Sequence, residues 1–449
     1  MIVMKFGGTS VESTEAIERI AGIVRDRIVR QPVVVVSAMG KTTNKLLAIA
    51  DAAVRGQRDQ ALGLLEELHQ FHRRESAGLG VDDQIDTHFQ ELIELVKGIA
   101  VMGEMTPRAA DAISAFGERL SSIIVTARFR SLGIEAAHLD SRSVIVTDRR
   151  HTQAAPNFAE TYKRLCGTIP ALAAKRVIVM GGFIASTEDG VTSTLGRGGS
   201  DYTASIVGAG IGAEEIQIWT DVDGMLTSDP TILAGGYRVK QCSFAEAAEL
   251  AYFGAKVLHP ATVLPAIEKN IPVRILNSRR PQVEGTLITA EAPRSTSPIR
   301  SIACKRNITL VNIVSTRMLM AHGFLKRIFE IFDRYETPVD MLATSEVSVS
   351  LTIDNTRSLP AITKEIEEFA EVMVEDGQAI VCMVGDNIRH TPGVASRAFA
   401  ALKNINVRMI SQGASLLNIS LVVAAADLKS AVELLHQEFF TNPDPAAFE

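Results

Sequence analysis

The feature that most restricts this chain is a pair of short, wholly apolar runs, Val33-Val34-Val35-Val36 and Val177-Ile178-Val179-Met180. A strand with no polar alternation must be covered on both faces, and that is the signature of a parallel sheet sandwiched between helices. Ile2-Val3-Met4 and Ile216-Gln217-Ile218-Trp219 read as further strands. Each run ends in a glycine or polar cluster and passes into another element. After Thr9-Ser10, for instance, Ile17, Ile20, Val24 and Ile28 recur at helical spacing. Strand, tight turn and helix, repeated, give an α/β sheet whose loops gather along one edge.

Between residues 50 and 130 the strand signals stop. Leu62, Leu65 and Leu68, then Ile85, Phe89, Leu92, Leu95 and Val96, mark amphipathic helices, with breaks at Gly78-Leu79-Gly80 and Thr106-Pro107. This helical excursion either forms part of a lid or simply covers the sheet. A length of 449 residues suits about three domains. Residues 291–298, which include Ala-Pro-Arg-Ser-Thr-Ser-Pro, read as a linker. Beyond it lies an internal repeat. Gly323-Phe324-Leu325 matches Gly393-Val394-Ala395 at an offset of about 70 residues, and Pro338-Val339-Asp340-Met341 matches Asn406-Val407-Arg408-Met409. Both copies read strand, glycine turn, helix, strand, strand, as paired ferredoxin-like modules would.

Composition removes several functions. With 46 basic and 52 acidic residues the net charge is −6, which gives no footprint for nucleic acid or an anionic membrane. Cys166, Cys242, Cys304 and Cys382 are too scattered for a disulfide framework or a zinc site and fit a reducing compartment. No leader-like start and no run of ~18–20 apolar residues is present. A soluble, cytoplasmic location is expected. Two apparent nucleotide motifs fail. Met39-Gly40-Lys41-Thr42 lacks the first glycine of a Walker loop, since Val35 holds that place. The glycines of 208–212 have the wrong spacing for a dinucleotide fingerprint and follow a helical stretch.

Four loops carry the chemistry. Lys5-Phe6-Gly7-Gly8-Thr9-Ser10 follows the first strand, and its glycines, a helix start and one ammonium suit an anion. Residues 37–44 are rich in hydroxyls, and Gly181-Gly182-Phe183-Ile184 follows the strand at Val177. Residues 194–203 offer Arg197 for a two-point grip on a carboxylate and Gly198-Gly199 for close approach, with Ser200 and Asp201 at a helix start. At such a position an aspartate serves equally as an N-cap. Together these are the requirements of phosphoryl transfer, positive charge on the moving group and partners held in line.

The segments KFGGTSV at 5–11, SAMGKTTN at 37–44, TLGRGGSDYTA at 194–204, WTDVDGM at 219–225 and FGAKVLHP at 253–260 resemble aspartokinase, in the family's order. The repeat behind them resembles its paired ACT domains. Thr344-Ser345-Glu346-Val347-Ser348-Val349 is similar to the lysine-sensitive, monofunctional branch. A fused homoserine dehydrogenase would need a long further domain, and the chain ends at Glu449. The resemblance implies an amino-acid-kinase αβα sandwich over residues 1–292, an ACT domain over 300–376 and a second over 377–449. It implies phosphorylation of L-aspartate by ATP with Mg²⁺, at the entry to lysine, threonine and methionine synthesis.

By the same resemblance Lys5 and Asp201 are catalytic, Asp201 orienting the lysine. Lys5, Gly7, Gly8, Thr9, Thr220, Asp221, Lys256 and Val257 bind ATP. Thr43, Glu118, Arg197, Gly198, Gly199 and Ser200 bind aspartate, with Glu118 for its ammonium. Taken without the family, Glu118 reads as a surface helix acid. Leu226 and Thr231 stand where the family often has Tyr and Arg. Met318, Phe324, Leu325, Asp340, Ser345 and Glu346 form a lysine effector site, where Ala321 replaces a common serine. No dedicated metal site is visible. Homodimers or homotetramers through the ACT repeats are expected. The alternatives are a kinase of the same fold acting on glutamate or N-acetylglutamate, and a non-catalytic amino-acid-binding regulator.

Overall fold

The computed structural model describes residues 1–254, 260–293, 295–315 and 322–449. Two compact units emerge, one from residues 1–225 and 257–292, the other from 226–256 and 293–449.

The first unit begins with β1 (Ile2–Phe6), α1 (Thr14–Arg25), β2 (Pro32–Val36) and α2 (Thr42–Val54). The helical excursion follows as α3 (Arg58–Glu75), α4 (Asp82–Met102), α5 (Pro107–Ser114) and α6 (Phe116–Ser131). Next come β3 (Ala136–Leu139), β4 (Val146–Thr147), α7 (Phe158–Ala173), β5 (Val177–Gly181), β6 (Ile184–Thr187), β7 (Thr192–Thr194), α8 (Gly199–Ile211) and β8 (Glu215–Thr220). After β9 (Gln241–Ser243) and α9 (Phe244–Tyr252), which belong to the other unit, it ends with α10 (Leu264–Glu268), β10 (Val273–Asn277) and β11 (Thr286–Thr289).

Its main sheet runs β3-β5-β2-β1-β8-β10-β11, parallel except for the last pair. The valines of β2 are fully buried because both faces are covered. One face packs Ile2, Met4, Val34, Val36 and Val179 against Ile17, Leu46, Leu65, Phe89 and Ile124 of the surrounding helices. On the other, Val3 faces α8, where a side chain at Gly208 would strike Ile216. The excursion is therefore a cover for the sheet, its leucines and phenylalanine continuous with the core. Both expected breaks are real: Thr106 caps α5 with Pro107 in its first turn, and Gly78 and Gly80 lie between α3 and α4. The glycines at 208 and 210 lie inside α8, which stops at a left-handed Gly212. They bring that helix onto Ile216 and Leu165.

Two expectations fail locally. Helix α1 starts at Thr14 behind a Ser13 cap, so the first loop passes through a 3₁₀ turn, Gly8–Ser10, instead of opening a helix. Ile28 lies beyond α1 and is 45% exposed. Its spacing matched the helical stripe by coincidence.

In the second unit the repeats are β12 (Ser301–Val314), α11 (Phe324–Arg334), β13 (Met341–Thr344) and β14 (Ser348–Ile353), then, after α12 (Leu359–Ile366), β15 (Glu371–Val384), α13 (Val394–Ala401), β16 (Val407–Gln412) and β17 (Asn418–Ala424). Helix α14 (Leu428–Phe440) follows. The matched glycines, Gly323 and Gly393, hold the same place: each is the left-handed N-cap of its helix, with φ of 84° and 85°. The repeats share one antiparallel sheet, β13-β14-β12-β15-β17-β16. Its two central strands pair along their length, Ser301 with Val384 at one end and Val314 with Glu371 at the other. Ser301–Lys305 thus lies beside the β15 residues that continue to β17, and Thr309–Val314 beside β14. The segment read as a linker is tied down, for the Asp444 carboxylate accepts from Thr296 N–H and Ser295 Oγ.

Candidate functional site

Strand register builds the site. Phe6 pairs with Val36 on one side and Trp219 on the other, and Val36 pairs with Gly181. The carboxyl ends of β5, β2, β1 and β8 therefore form one row, and their loops leave from the same edge. The order reverses beside β1, whose neighbours lead to opposite halves of the sheet, the usual place for a ligand crevice in an open α/β sheet. The ladder runs on into the loops: Ser37 N–H donates to Phe6 O, Gly182 N–H to Val36 O and Gly7 N–H to Trp219 O.

A cavity of about 370 Å³ opens there, lined by Lys5, Gly8, Thr43, Glu118, Gly198, Gly199, Ser200 and Asp201 among others. Residues from β1, α2, α6 and α8, far apart in the chain, thus share one space. Gly8 is required by the convergence. A Cβ there would lie 2.8 Å from Gly40 O and 3.0 Å from Ala38 O, both backbone atoms that cannot step aside. Gly198 has φ of 73° and caps α8 without a side chain, so the amide groups of Gly199, Ser200 and Asp201 begin the helix at the cavity wall. Gly199 N–H donates to Gly196 O, and the first-turn amides of Ser200 and Asp201 carry partial positive charge.

Asp201 is not the cap. It lies in the first turn and its Oδ1 stands 2.7 Å from Lys5 Nζ, with only 11% and 17% of the two side chains exposed. The ammonium is thereby fixed at the cavity rather than left to wander on its four-carbon stem.

Glu118 is the sharpest departure from its appearance in sequence. It lies on α6, which is buried along most of its length, and is itself 4% exposed. Ala38 N–H donates to Oε1 at 3.1 Å, while Oε2 is buried with no hydrogen-bond partner among the described residues. Burial pushes the carboxyl up to about 8 against the pull of that amide. A bare, desolvated carboxylate oxygen in a cavity wall is a seat for a cation.

Arg197, between the two cavity glycines Gly196 and Gly198, is exposed, and its side chain is not part of the wall. A Cβ added at Gly7 would lie 3.9 Å from Lys5 Nζ. Thr9 is exposed on the 3₁₀ turn. Thr220 and Asp221 sit at the end of β8, bonded to each other at 3.2 Å, and do not line the cavity. Lys256 and Val257 lie outside the described residues. Thr231 is engaged, donating to Asp229 and accepting from Arg306. Ser37, Ala38, Gly40, Lys41 and Asn44 also line the wall, as do Phe183 and Gly196. The hydroxyls of residues 37–44 mark this loop in the sequence, but nothing in its spacing singles out Lys41.

In the repeat unit, Met318 and Ala321 lie outside the described residues. Phe324 packs edge-on against Phe369, and Leu325 is 38% exposed. Ser345 shares a hydrogen bond with Ser348, and Glu346 is exposed. Asp340 is not free: Lys305 Nζ lies 2.6 Å from its Oδ1 and 2.8 Å from Asp354. Its other oxygen is buried, and desolvation raises its pKa despite the ammonium.

Residues 1–277 match the amino acid kinase family and residues 381–439 an ACT domain. Aspartokinase 1 of Arabidopsis thaliana, a chloroplast enzyme, is 41% identical over 98% of this chain and 80% of its own length. The lysine-sensitive aspartokinase 3 of Escherichia coli is 36% identical over 98% of this chain and 99% of that one. The crystal structure of E. coli aspartokinase III with aspartate and ADP superposes with a TM-score of 0.84 at 35% identity, covering 98% of this chain and all of that one.

Proposed function

The chain belongs to the aspartokinase family, and on that premise we propose that it transfers the γ-phosphate of ATP to the β-carboxylate of L-aspartate, giving 4-phospho-L-aspartate and ADP. The observation that carries this reading is the cavity where the Lys5–Asp201 ion pair, the start of α8 and the bare Glu118 oxygen face one another.

An oxygen of the β-carboxylate attacks the γ-phosphorus as its bond to the β,γ-bridging oxygen breaks, and ADP departs. Charge on the transferring group and the leaving oxygen meets Lys5, held in place by Asp201, with further donors from the amides of α8. Glu118 receives the substrate ammonium, Arg197 its α-carboxylate, and Thr43, Gly198, Gly199 and Ser200 complete the pocket. Gly7, Gly8 and Thr9 approach the phosphates, while Thr220, Asp221, Lys256 and Val257 serve the nucleoside. Among the described residues no group of three His, Cys, Asp or Glu side chains could hold a metal ion. Mg²⁺ would arrive with ATP and would supply counter-charge to its phosphates.

Residues 1–292 form the catalytic domain, and the repeats over 300–376 and 377–449 the regulatory ACT pair. L-Lysine is the effector, bound by Met318, Phe324, Leu325, Asp340, Ser345 and Glu346, and it acts through a coupling free energy on the kinase site. Assembly through the repeats as a homodimer or homotetramer is supported by apolar residues left exposed there, among them Leu342, Met373, Val374 and Ile410. No helix of the described residues is long and apolar enough to cross a membrane, which fits a cytoplasmic enzyme of amino-acid synthesis.

A coupled assay of ADP release with aspartate, glutamate and N-acetylglutamate, with and without lysine, tests the reading. Turnover with aspartate alone, reduced by lysine, is expected; turnover with another acceptor only refutes it. Lys5→Ala should lower the rate by about 10²-fold or more while leaving lysine binding intact.

A further inference from the structure

Arg197 is exposed and makes no hydrogen bond or ion pair among the described residues, so the place from which its side chain reaches is set by the backbone that bears it. That backbone springs from Thr194, the last residue of β7, and Thr194 ends on a buried carboxylate. Asp111, in the middle of α5, is 1% exposed. Its Oδ1 accepts from Thr194 Oγ1 at 2.5 Å and from Thr152 N–H at 3.0 Å, and its Oδ2 lies 2.7 Å from His151 Nδ1. Three separate segments meet on one side chain: the helical excursion, the loop at 151–153, and the strand that feeds the arginine loop.

The backbone around this knot is unusual in a way that needs holding. Thr152 has φ of 72°, a left-handed value that a β-branched residue rarely takes. Its amide is aimed at Asp111 and its carbonyl faces Gly196, where an added Cβ would come within 3.1 Å. Ala154 N–H donates to Thr194 O and Leu195 N–H to Phe183 O, so the strand end is fixed from both sides. Strained backbone of this kind persists where surrounding contacts over-determine it, and it gathers at functional sites.

We propose that Asp111 is a positioning residue for the acceptor: through Thr194 and Thr152 it fixes residues 195–198, and with them the angle at which Arg197 meets the substrate carboxylate. This rests on the aspartate-kinase reading above. Misplacing such a group by about 1 Å costs on the order of 10²-fold in rate at low substrate, and the loss falls on the acceptor rather than on the nucleotide.

The test is steady-state kinetics of the full-length protein carrying Asp111→Asn, with Thr194→Val and Thr194→Ser beside it. Asparagine keeps the volume but offers one acceptor oxygen where the knot uses two. The KM for aspartate should rise about tenfold or more, with kcat and the KM for ATP within about threefold. Thr194→Val should raise the same KM, and Thr194→Ser, which restores the hydroxyl, should bring it back. Combining Asp111→Asn with Thr194→Val should add little to Asp111→Asn alone, as for two members of one contact. An unchanged KM for aspartate in a folded Asp111→Asn variant overturns the proposal, as does a loss confined to kcat or to thermal stability. If Asp111→Asn does not fold, the Thr194 pair decides, and an unchanged KM in Thr194→Val has the same force. A wild-type protein that does not phosphorylate aspartate refutes the assigned reaction itself, whereas wild-type activity with indifferent variants refutes only the role of Asp111.

Discussion

Glu118→Gln exchanges a buried carboxyl for an amide of almost the same shape, which can still accept from Ala38 N–H. In the free protein the carboxyl titrates at about 8 because it is wholly buried. The folded chain therefore keeps a proton that the unfolded chain gives up near pH 4.5, so the stability it contributes is full below pH 4.5 and erodes as the pH rises to about 8. The ceiling on that erosion is about 5 kcal/mol, so above pH 8 the glutamine variant should be the more stable by up to that amount, while at pH 4 the two should differ little. Substrate reverses the balance. An ammonium against Oε2 favours the ionised form, so binding aspartate should expel close to one proton at pH 7 and about half a proton at pH 8. Titration calorimetry in buffers of different ionisation heat measures this directly. Aspartate affinity should strengthen with pH, by at most about tenfold per unit, and level off above 8. In Glu118→Gln the proton release should vanish and the KM for aspartate should rise. Binding without proton release in the wild type, or an unaltered KM in the variant, would refute the assignment of Glu118 as the ammonium seat.

Arg197→Ala should raise the KM for aspartate about 10²-fold through loss of a two-point grip. Because the side chain is exposed and makes no hydrogen bond or ion pair among the described residues, the melting midpoint should not move; calorimetry checks the second half, and a large shift would contradict it. Gly8→Ala forces a methyl between two backbone carbonyls and should destabilise by about 1–3 kcal/mol while weakening ATP binding, read by denaturant titration and the KM for ATP. Lys305→Met removes the internal ammonium from Asp340. Since a partly exposed ion pair is worth about 1 kcal/mol, lysine should inhibit at a concentration about fivefold lower. Weaker inhibition would mean that Lys305 supports the effector instead of competing with it.

Much was legible from the chain alone, for physical reasons that particular residues illustrate. Val33–Val36 reads as a strand covered twice, since four β-branched residues in succession favour the extended chain and leave no polar face. The matched glycines at 323 and 393 marked the same helix start in both repeats because a left-handed cap favours glycine. Family likeness alone points to Lys5 and Asp201 as partners, and the two side chains stand 2.7 Å apart.

Other decisions belonged to the tertiary structure. The acidity of Glu118 depends on burial, and burial of an amphipathic-looking helix is set by neighbours that local spacing does not reveal. Asp111 had no signature at all, since its partners lie 40, 41 and 83 residues away. Ile28 misled because helical periodicity continues in a sequence after the helix has stopped. The occupancy of Asp340 by Lys305 depends on β12 running on past the end of β14, where Thr309 pairs with Ile353, a matter of strand register. Residue types and their rhythm determine which elements form and what chemistry is on hand. Only the packing of distant segments fixes which charges lose their water, and a charge stripped of water is what gives this cavity its purpose.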